Sequence, residues 1–205
     1  MSTPCTIGVH GHTGKLGSLI LSHAPCIPIH RGENVPQCDV VIDVSSADGL
    51  KNLLSKLSGQ ALLVGTTGDL PWAELESYAK TATVAVVPNF SVGVPVLLKL
   101  IDTALQMLPD GWDIEVIEAH HNQKKDAPSG TAKRLLKAIE EHGYQNVPAH
   151  ALRVGDTFGE HTVWMCGPGE RIELKHVATK RKVFAIGAHR WATWLRNQPA
   201  GLIRA

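Results

Sequence analysis

The sequence predicts an α/β chain: a doubly wound parallel sheet, then a second α+β domain on an open mixed or antiparallel sheet. Three observations carry this expectation. Short apolar runs alternate with helical patterns from Thr6 to about Leu108, as strands buried on both faces and their crossover helices do. A glycine turn, Gly11 to Gly17, joins the first run to the first helix. Beyond Val147 the pattern changes to period-two alternation, clearest from Arg171 to Val177, which suits a sheet with one open face.

The first run, Thr6-Ile7-Gly8-Val9-His10, leads into Gly11-His12-Thr13-Gly14-Lys15-Leu16-Gly17 and an apolar helix start, Leu19-Ile20-Leu21. Strand, glycine turn and helix together make the setting of a Rossmann-type dinucleotide site. The glycines let the backbone approach a pyrophosphate, and the helix end offers amides and a positive dipole end. Gly11, His12, Thr13, Gly14, Lys15 and Leu16 are therefore candidate cofactor residues. The spacing is GxxGxxG, and packing alone also produces glycine turns, so a purely structural role is the alternative.

The second run, Cys26-Ile27-Pro28-Ile29, ends at His30-Arg31, where such folds place the adenosine ribose. Arg31, with Lys15 nearby, favours a 2′-phosphate, and Glu33 favours a free hydroxyl. The balance leans to NADPH, with NADH as the alternative; a solvated turn explains the same residues without a ligand. A short linker with Gly32, Asn34 and Pro36 reaches the apolar strand Asp39 to Val44. Ser45-Ser46-Ala47-Asp48 then caps a helix carrying Leu50, Leu53, Leu54 and Leu57. Residues 61–64 read as a strand, 72–82 as a helix and 83–87 as a strand. Val94 to Leu108 is a long apolar helix stopped by Pro109-Asp110-Gly111.

The chemistry concentrates between Glu115 and Ala132. His120 and His121 follow the strand residues Val116-Ile117, Lys124 and Lys125 lie in a polar loop, and Pro128-Ser129-Gly130-Thr131 opens a helix running to about Glu141. A histidine, a lysine and a helix N-terminus so close in sequence point to proton transfer to a bound carboxylate compound. Taken singly, each has a structural explanation, as a surface histidine, a solvated lysine or an N-cap.

As a whole the stretch resembles the signature of the dihydrodipicolinate (4-hydroxy-tetrahydrodipicolinate) reductases of the diaminopimelate–lysine pathway. Their pattern is Glu-(Ile/Val)-x-Glu-x-His, three free positions, then Lys-x-Asp-x-Pro-Ser-Gly-Thr-Ala. Here it is carried by Glu115, Val116, Glu118, His120, Lys124, Asp126, Pro128, Ser129, Gly130, Thr131 and Ala132. Gly65-Thr66-Thr67-Gly68 and Pro88-Asn89-Phe90-Ser91-Val92-Gly93 resemble the family's two loops against the nicotinamide half of the cofactor. Residues 155–162 and 169–171 resemble its second domain, so the resemblance spans essentially the whole chain.

The resemblance implies reduction of a cyclic, dicarboxylated imine-type substrate by NADPH or NADH, with loss of water, giving tetrahydrodipicolinate. It implies His120 as general acid, Lys124 as second proton donor, and His121, Ser129, Gly130 and Thr131 on a substrate carboxylate. It adds Gly65, Thr66, Thr67, Val87, Pro88, Asn89 and Phe90 to the cofactor residues. It also implies a dinucleotide-binding domain from residues 1–90 and 181–205, a substrate-binding and oligomerisation domain from 91–180, and a homotetramer. The chain departs from the family in being shorter: Arg31 to Gln37 lacks the usual helix and strand, and the sequence stops at Ala205.

Composition narrows the partners. With 205 residues and a formal net charge of +1, there is room for one large or two small domains and no charged field aimed at nucleic acid or a membrane. No run reaches the roughly eighteen apolar residues of a membrane span, and Met1-Ser2-Thr3-Pro4-Cys5 lacks the pattern of a secretory signal. Four scattered cysteines without CxxC spacing argue against zinc or disulfides and for a reducing cytoplasm, so no metal is expected. Two other classes fit parts of the pattern. A different two-domain dehydrogenase would need another acid–base group, and a non-catalytic NAD-binding module would bind nucleotide without turnover.

Overall fold

The computed structural model describes residues 4–205. In chain order these form β1 (Ile7–His10), α1 (Lys15–His23), β2 (Ile27–Ile29), β3 (Val40–Asp43), α2 (Ala47–Leu54), β4 (Ala61–Val64), α3 (Trp72–Tyr78) and β5 (Thr83–Val86). They continue with α4 (Gly93–Met107), β6 (Asp113–His120), α5 (Gly130–Glu140), β7 (Ala149–Arg153), β8 (Glu160–Gly167), β9 (Glu170–Val177), α6 (Lys182–Leu195) and β10 (Gly201–Arg204). The chain divides into two compact units. One comprises the chain up to Phe90 together with Arg181–Ala205, the other Ser91–Lys180.

The first unit is a six-stranded sheet in the order β10-β5-β4-β3-β1-β2. Every pairing is parallel. Its strands are apolar on both faces because helices cover both. Val40, Ile42, Leu63 and Ala85 join the cluster under α1 and α6, while Val41, Leu62, Val64, Val84 and Val86 join the one under α2 and α3. Glycine enables the closest approach: a Cβ at Gly187 in α6 would lie 1.7 Å from the Phe90 carbonyl oxygen.

As the sequence predicts, residues 30–39 carry the chain from β2 past β1 to β3 without a helix. Parallel crossovers usually use one; here Val35 and Cys38 pack onto the α2–α3 cluster in its place. The helix expected over 72–82 ends at Tyr78, and Ala82 N–H returns to the Tyr78 carbonyl at 3.1 Å. A strand absent from the sequence reading, β10, pairs with β5 at the sheet edge, Leu202 opposite Val84.

The second unit is a four-stranded sheet in the order β7-β6-β8-β9. β6 runs parallel to β7 and antiparallel to β8, and β8 pairs antiparallel with β9, so the sheet is mixed. One face packs on α4 and α5 through Leu97, Ile101, Ile114, Val116, Leu135, Ile139, Val163 and Met165. Alternation along β6 aims Ile114 and Val116 at that core, and the same periodicity drives Glu118 and His120 inward after them. A carboxylate and an imidazole are thus placed where the preceding rungs carry aliphatic side chains.

Candidate active site

Glu118 and His120 end the buried face of β6, at 1% and 9% exposure. An unpaired charge there would be expensive, so the partners matter. Arg153 on β7, opposite His120 in the strand register, donates Nη1–H to Glu118 Oε2 at 3.0 Å and Nη2–H to Oε1 at 2.8 Å. Ser129 N–H donates to Oε1 at 3.1 Å. The fourth contact, a very short one, joins Oε2 to His120 Nδ1.

These bonds decide the protonation of the group. Burial by itself would raise the Glu118 pKa, but Arg153, His120 and the Ser129 amide outweigh it and hold the carboxyl below its ordinary value. An ionised carboxylate only accepts, so His120 Nδ1 carries the hydrogen and Nε2 is the edge left for chemistry. The histidine's own pKa is lowered, chiefly by burial, with Lys124 and Arg153 acting in the same direction and Glu118 opposing them.

Lys124 lies in the loop after β6. Its Nζ pairs with Asp126 at 2.7 Å and its amide donates to the His121 carbonyl at 3.1 Å. His121 itself is half-buried. The loop then passes a cis Ala127–Pro128 bond into α5. Ser129 caps that helix, its Oγ accepting from Ala132 N–H at 3.2 Å. Gly130, first residue of the helix, is exposed with open space where a side chain would stand, and Thr131 is buried. The structure therefore brings His120, Lys124 and the α5 N-terminus together within one unit.

Sequence reading missed three members of this cluster: Glu118 as a working group, Arg153 and His161. His161 on β8 is 2% exposed and sits 3.2 Å through Nε2 from Ser129 Oγ. Its ring stands edge-on to His120, centroids 5.2 Å apart, and burial pushes its pKa down to about 4. His176 lies opposite it on β9, and its Nε2 is 3.0 Å from Ser91 Oγ. The available signal was positional, since each residue occupies a core-facing rung of its strand.

The candidate cofactor residues lie in the first unit. Gly11 adopts φ +82° at the end of β1, where a Cβ would come within 2.6 Å of the Val44 carbonyl oxygen. A Cβ at Gly17 would meet the Gly11 oxygen at 2.3 Å, so turn and helix pack as closely as a phosphate cradle requires. Gly14 precedes α1 without a side-chain cap, and Lys15 opens the helix, exposed. His12 ties this turn to β2, with Nδ1 3.2 Å from the Ile29 carbonyl and its ring edge-on to His30. Thr13 and Arg31 are exposed, and Leu16 packs partly on the core. The residues present fit a dinucleotide's diphosphate.

The later loops are tied inward. Asp43, fully buried, bonds His10 Nδ1 and Ser45 Oγ at 2.7 Å each and accepts from Thr66 Oγ1 at 2.5 Å. The Thr66 hydroxyl is thus engaged within the protein. Val87 and Phe90 are core residues, and a Cβ at Gly65 would strike the Phe90 ring at 2.5 Å. Along Gly65–Thr67 and Val87–Phe90, backbone is the natural ligand-facing group. Among the described residues, no group of three or more His, Cys, Asp and Glu could hold a metal ion.

A family model, "Dihydrodipicolinate reductase, C-terminus", matches residues 93–205, more than half of the chain. The chain belongs to the dihydrodipicolinate reductase family. A 4-hydroxy-tetrahydrodipicolinate reductase of Myxococcus xanthus is 41% identical over 198 residues, 85% of this chain and 73% of that protein. One from Thermosipho africanus is 38% identical, covering 95% of this chain and 93% of that one. A solved structure of dipicolinate-bound dihydrodipicolinate reductase from Paenisporosarcina sp. TG-14 covers 99% of this chain and 98% of its own with TM-score 0.74. At 20% identity that likeness establishes the fold. An amine dehydrogenase from Mycobacterium smegmatis shares the fold more loosely, at TM-score 0.57 and 11% identity.

Proposed function

We infer that the chain reduces 4-hydroxy-tetrahydrodipicolinate with NADPH or NADH, releasing water and giving tetrahydrodipicolinate in the diaminopimelate and lysine pathway. The observation that carries this reading is the family's chemistry-bearing segment, folded so that one buried, carboxylate-paired histidine stands beside a lysine and a helix N-terminus. A bound reduced nicotinamide supplies the hydride. Everything else falls to the protein's own residues.

His120 is the proton donor. Nδ1–H is committed to Glu118, so the exchangeable proton resides on Nε2, and burial makes the imidazolium give it up readily. Lys124 is the second donor and a cation for the dianionic substrate. His121 and the Gly130–Thr131 turn hold a carboxylate at the start of α5, where helix-end charge favours an anion, while Ser129, its amide taken by Glu118, shapes that turn as the helix cap. Gly11 to Leu16 and Arg31 hold the nucleotide's phosphates and ribose, and the backbone at Gly65–Thr67 and Val87–Phe90 lies along the nicotinamide half. The first unit is accordingly the dinucleotide-binding domain and the second the substrate-binding domain.

Assembly as a homotetramer through the open face of the second sheet belongs to the same reading. In a single chain that face leaves Leu152 52% and Val177 41% exposed, and apolar surface on a sheet face favours burial against another copy. A cytoplasmic location accords with four free thiols and no helix long and apolar enough to cross a membrane among the described residues.

The test is direct. Purified protein is mixed with NADPH or NADH and freshly generated 4-hydroxy-tetrahydrodipicolinate while nicotinamide absorbance is followed. Turnover is expected with both nucleotides, and Arg31→Ala should lower kcat/KM for NADPH selectively. His120→Ala and Lys124→Ala should each reduce kcat by about two to four powers of ten, the usual contribution of a positioned proton donor, with nucleotide binding retained. Full activity in both variants removes the role assignments, and no turnover in the unaltered protein removes the function.

A further inference from the structure

We propose that Glu118, gripped by Arg153, is the positioning residue that keeps the fixed hydrogen of His120 on Nδ1 and so leaves Nε2 as the edge that takes up and gives the reacting proton. This rests on the reading of His120 as proton donor and adds two residues to which that reading gives no part. Glu118 has a fully buried side chain and its four contacts come from three directions: the Arg153 fork on β7, the Ser129 amide at the start of α5, and His120 two residues along β6. A fork donor fixes the carboxylate plane, and the plane fixes the direction of the Nδ1 bond. The arrangement is that of a metal-free carboxylate–histidine pair in which the carboxylate sets tautomer and ring orientation.

The opposite edge of the ring is kept clear by a different device. Gly159 lies beside Nε2, where a Cβ would come within 3.1 Å, at a φ of +141° that side chains rarely adopt. Glycine there prevents residue 159 from covering the reactive nitrogen. The charged and titratable groups around His120 are Glu118 from its own strand, Arg153 from β7, His161 from β8 and Lys124 from the following loop, with His176 on β9 behind His161. Glu118 is the only one of these whose influence raises the proton affinity of His120. Lys124 and Arg153 lower it, and His161, neutral because its pKa lies near 4, is not a second cation at working pH. Removing the Glu118 charge therefore leaves burial and two cations unopposed.

Glu118→Gln preserves size and tests this. The limb of the kcat/KM–pH profile that reports His120 should move to lower pH by about one unit, the lesser end of what a close opposite charge does. At pH 8, kcat should fall about tenfold or more and recover as pH is lowered, with KM for substrate little changed. A purely structural role would lower activity at every pH together. An unshifted profile in an active, folded Glu118→Gln protein overturns the proposal. Because that variant can fail to fold, a second measurement uses the unaltered protein: histidine ring ¹⁵N NMR above its titration should show His120 protonated on Nδ1, and the Nε2–H tautomer overturns the proposal equally. The ring spectrum does not need turnover. A protein with the expected tautomer but no reductase activity would sink the proposed function and leave the pairing standing.

Discussion

Each unit buries one carboxylate against one histidine, and the two pairs are alike in depth. In the first, Asp43 and His10 have side-chain exposures of 0% and 11%; in the second, Glu118 and His120 have the same two values. Their surroundings differ. The other partners of Asp43 are the hydroxyls of Ser45 and Thr66, which belong to the loops after β3 and β4. The other partners of Glu118 are a guanidinium and a main-chain amide. In the first pair the carboxylate is a knot tying three strand ends together. In the second it is neutralised by Arg153, which leaves the histidine to respond to what approaches its far edge. On the proposed function, equal burial serves support in one place and chemistry in the other, and the deciding factor is what else holds the carboxylate.

The largest effect that could break this contrast is truncation of the two acids. Asp43→Ala and Glu118→Ala should each destabilise by about 3–5 kcal/mol, the usual consequence of orphaning one half of a buried pair, read by urea unfolding. Only the second should displace the pH–rate profile in whatever folded protein remains. A displaced profile in Asp43→Ala, or a loss below about 1 kcal/mol there, would mean that the first pair is not the knot described.

The same contrast explains which parts were legible in the sequence. Apolar runs such as Val40-Val41-Ile42 and Ala61-Leu62-Leu63-Val64 read as doubly buried strands because successive residues, which point to opposite faces, are all apolar, a purely local property. The His120-to-Ala132 segment stood out as a candidate site because its polar and titratable residues are contiguous. Arg153 and His161 were not, since they reach Glu118 and Ser129 only through strand register, 35 and 32 residues along the chain. One hint was available: Glu118 sits in phase with Ile114 and Val116, so period two sends a carboxylate into a core, and a partner had to be sought. β10 escaped because Gly-Leu-Ile-Arg offers only two apolar residues between a glycine and an arginine, and its definition comes from the edge of β5.

Next in size is the acid response. His161 has a folded pKa of about 4 against an ordinary value of 6.5, so between those values the unfolded chain binds a proton that the native one refuses. Stability contributed by the neutral ring is complete above about pH 6.5 and is lost as pH falls towards 4, amounting to about 3 kcal/mol at the lower end. Glu118, held below its ordinary value, adds a loss in the same direction at lower pH still. Urea midpoints from pH 7.5 to 4.5 should fall steadily in the unaltered protein and less steeply in His161→Gln, where His120 and His176, also held below their ordinary values, still respond. An equal slope in both would mean that His161 is not the acid-sensitive group.

The smallest expected effect separates the units at their surfaces. Each carries an arginine stacked on a tryptophan beside a glutamate: Arg204 over Trp72 at 4.4 Å with Glu76, and Arg171 over Trp164 at 4.3 Å with Glu173. Arg204 lies on β10 and Trp72 and Glu76 on α3, so the contact pins an edge strand to a helix. Exposed stacks and ion pairs of this kind contribute about 1 kcal/mol or less, and Arg204→Ala should lower the unfolding free energy by that much whatever the protein concentration. Arg171 stands on the open face of the second sheet, next to the surface proposed for assembly. Its removal should leave the stability of an isolated chain nearly unchanged and act on association, lowering the tetramer fraction seen by light scattering on dilution. If Arg171→Ala instead behaves like Arg204→Ala, with a concentration-independent loss and an unaltered mass, that face is an ordinary solvent surface and the tetramer must be sought through another.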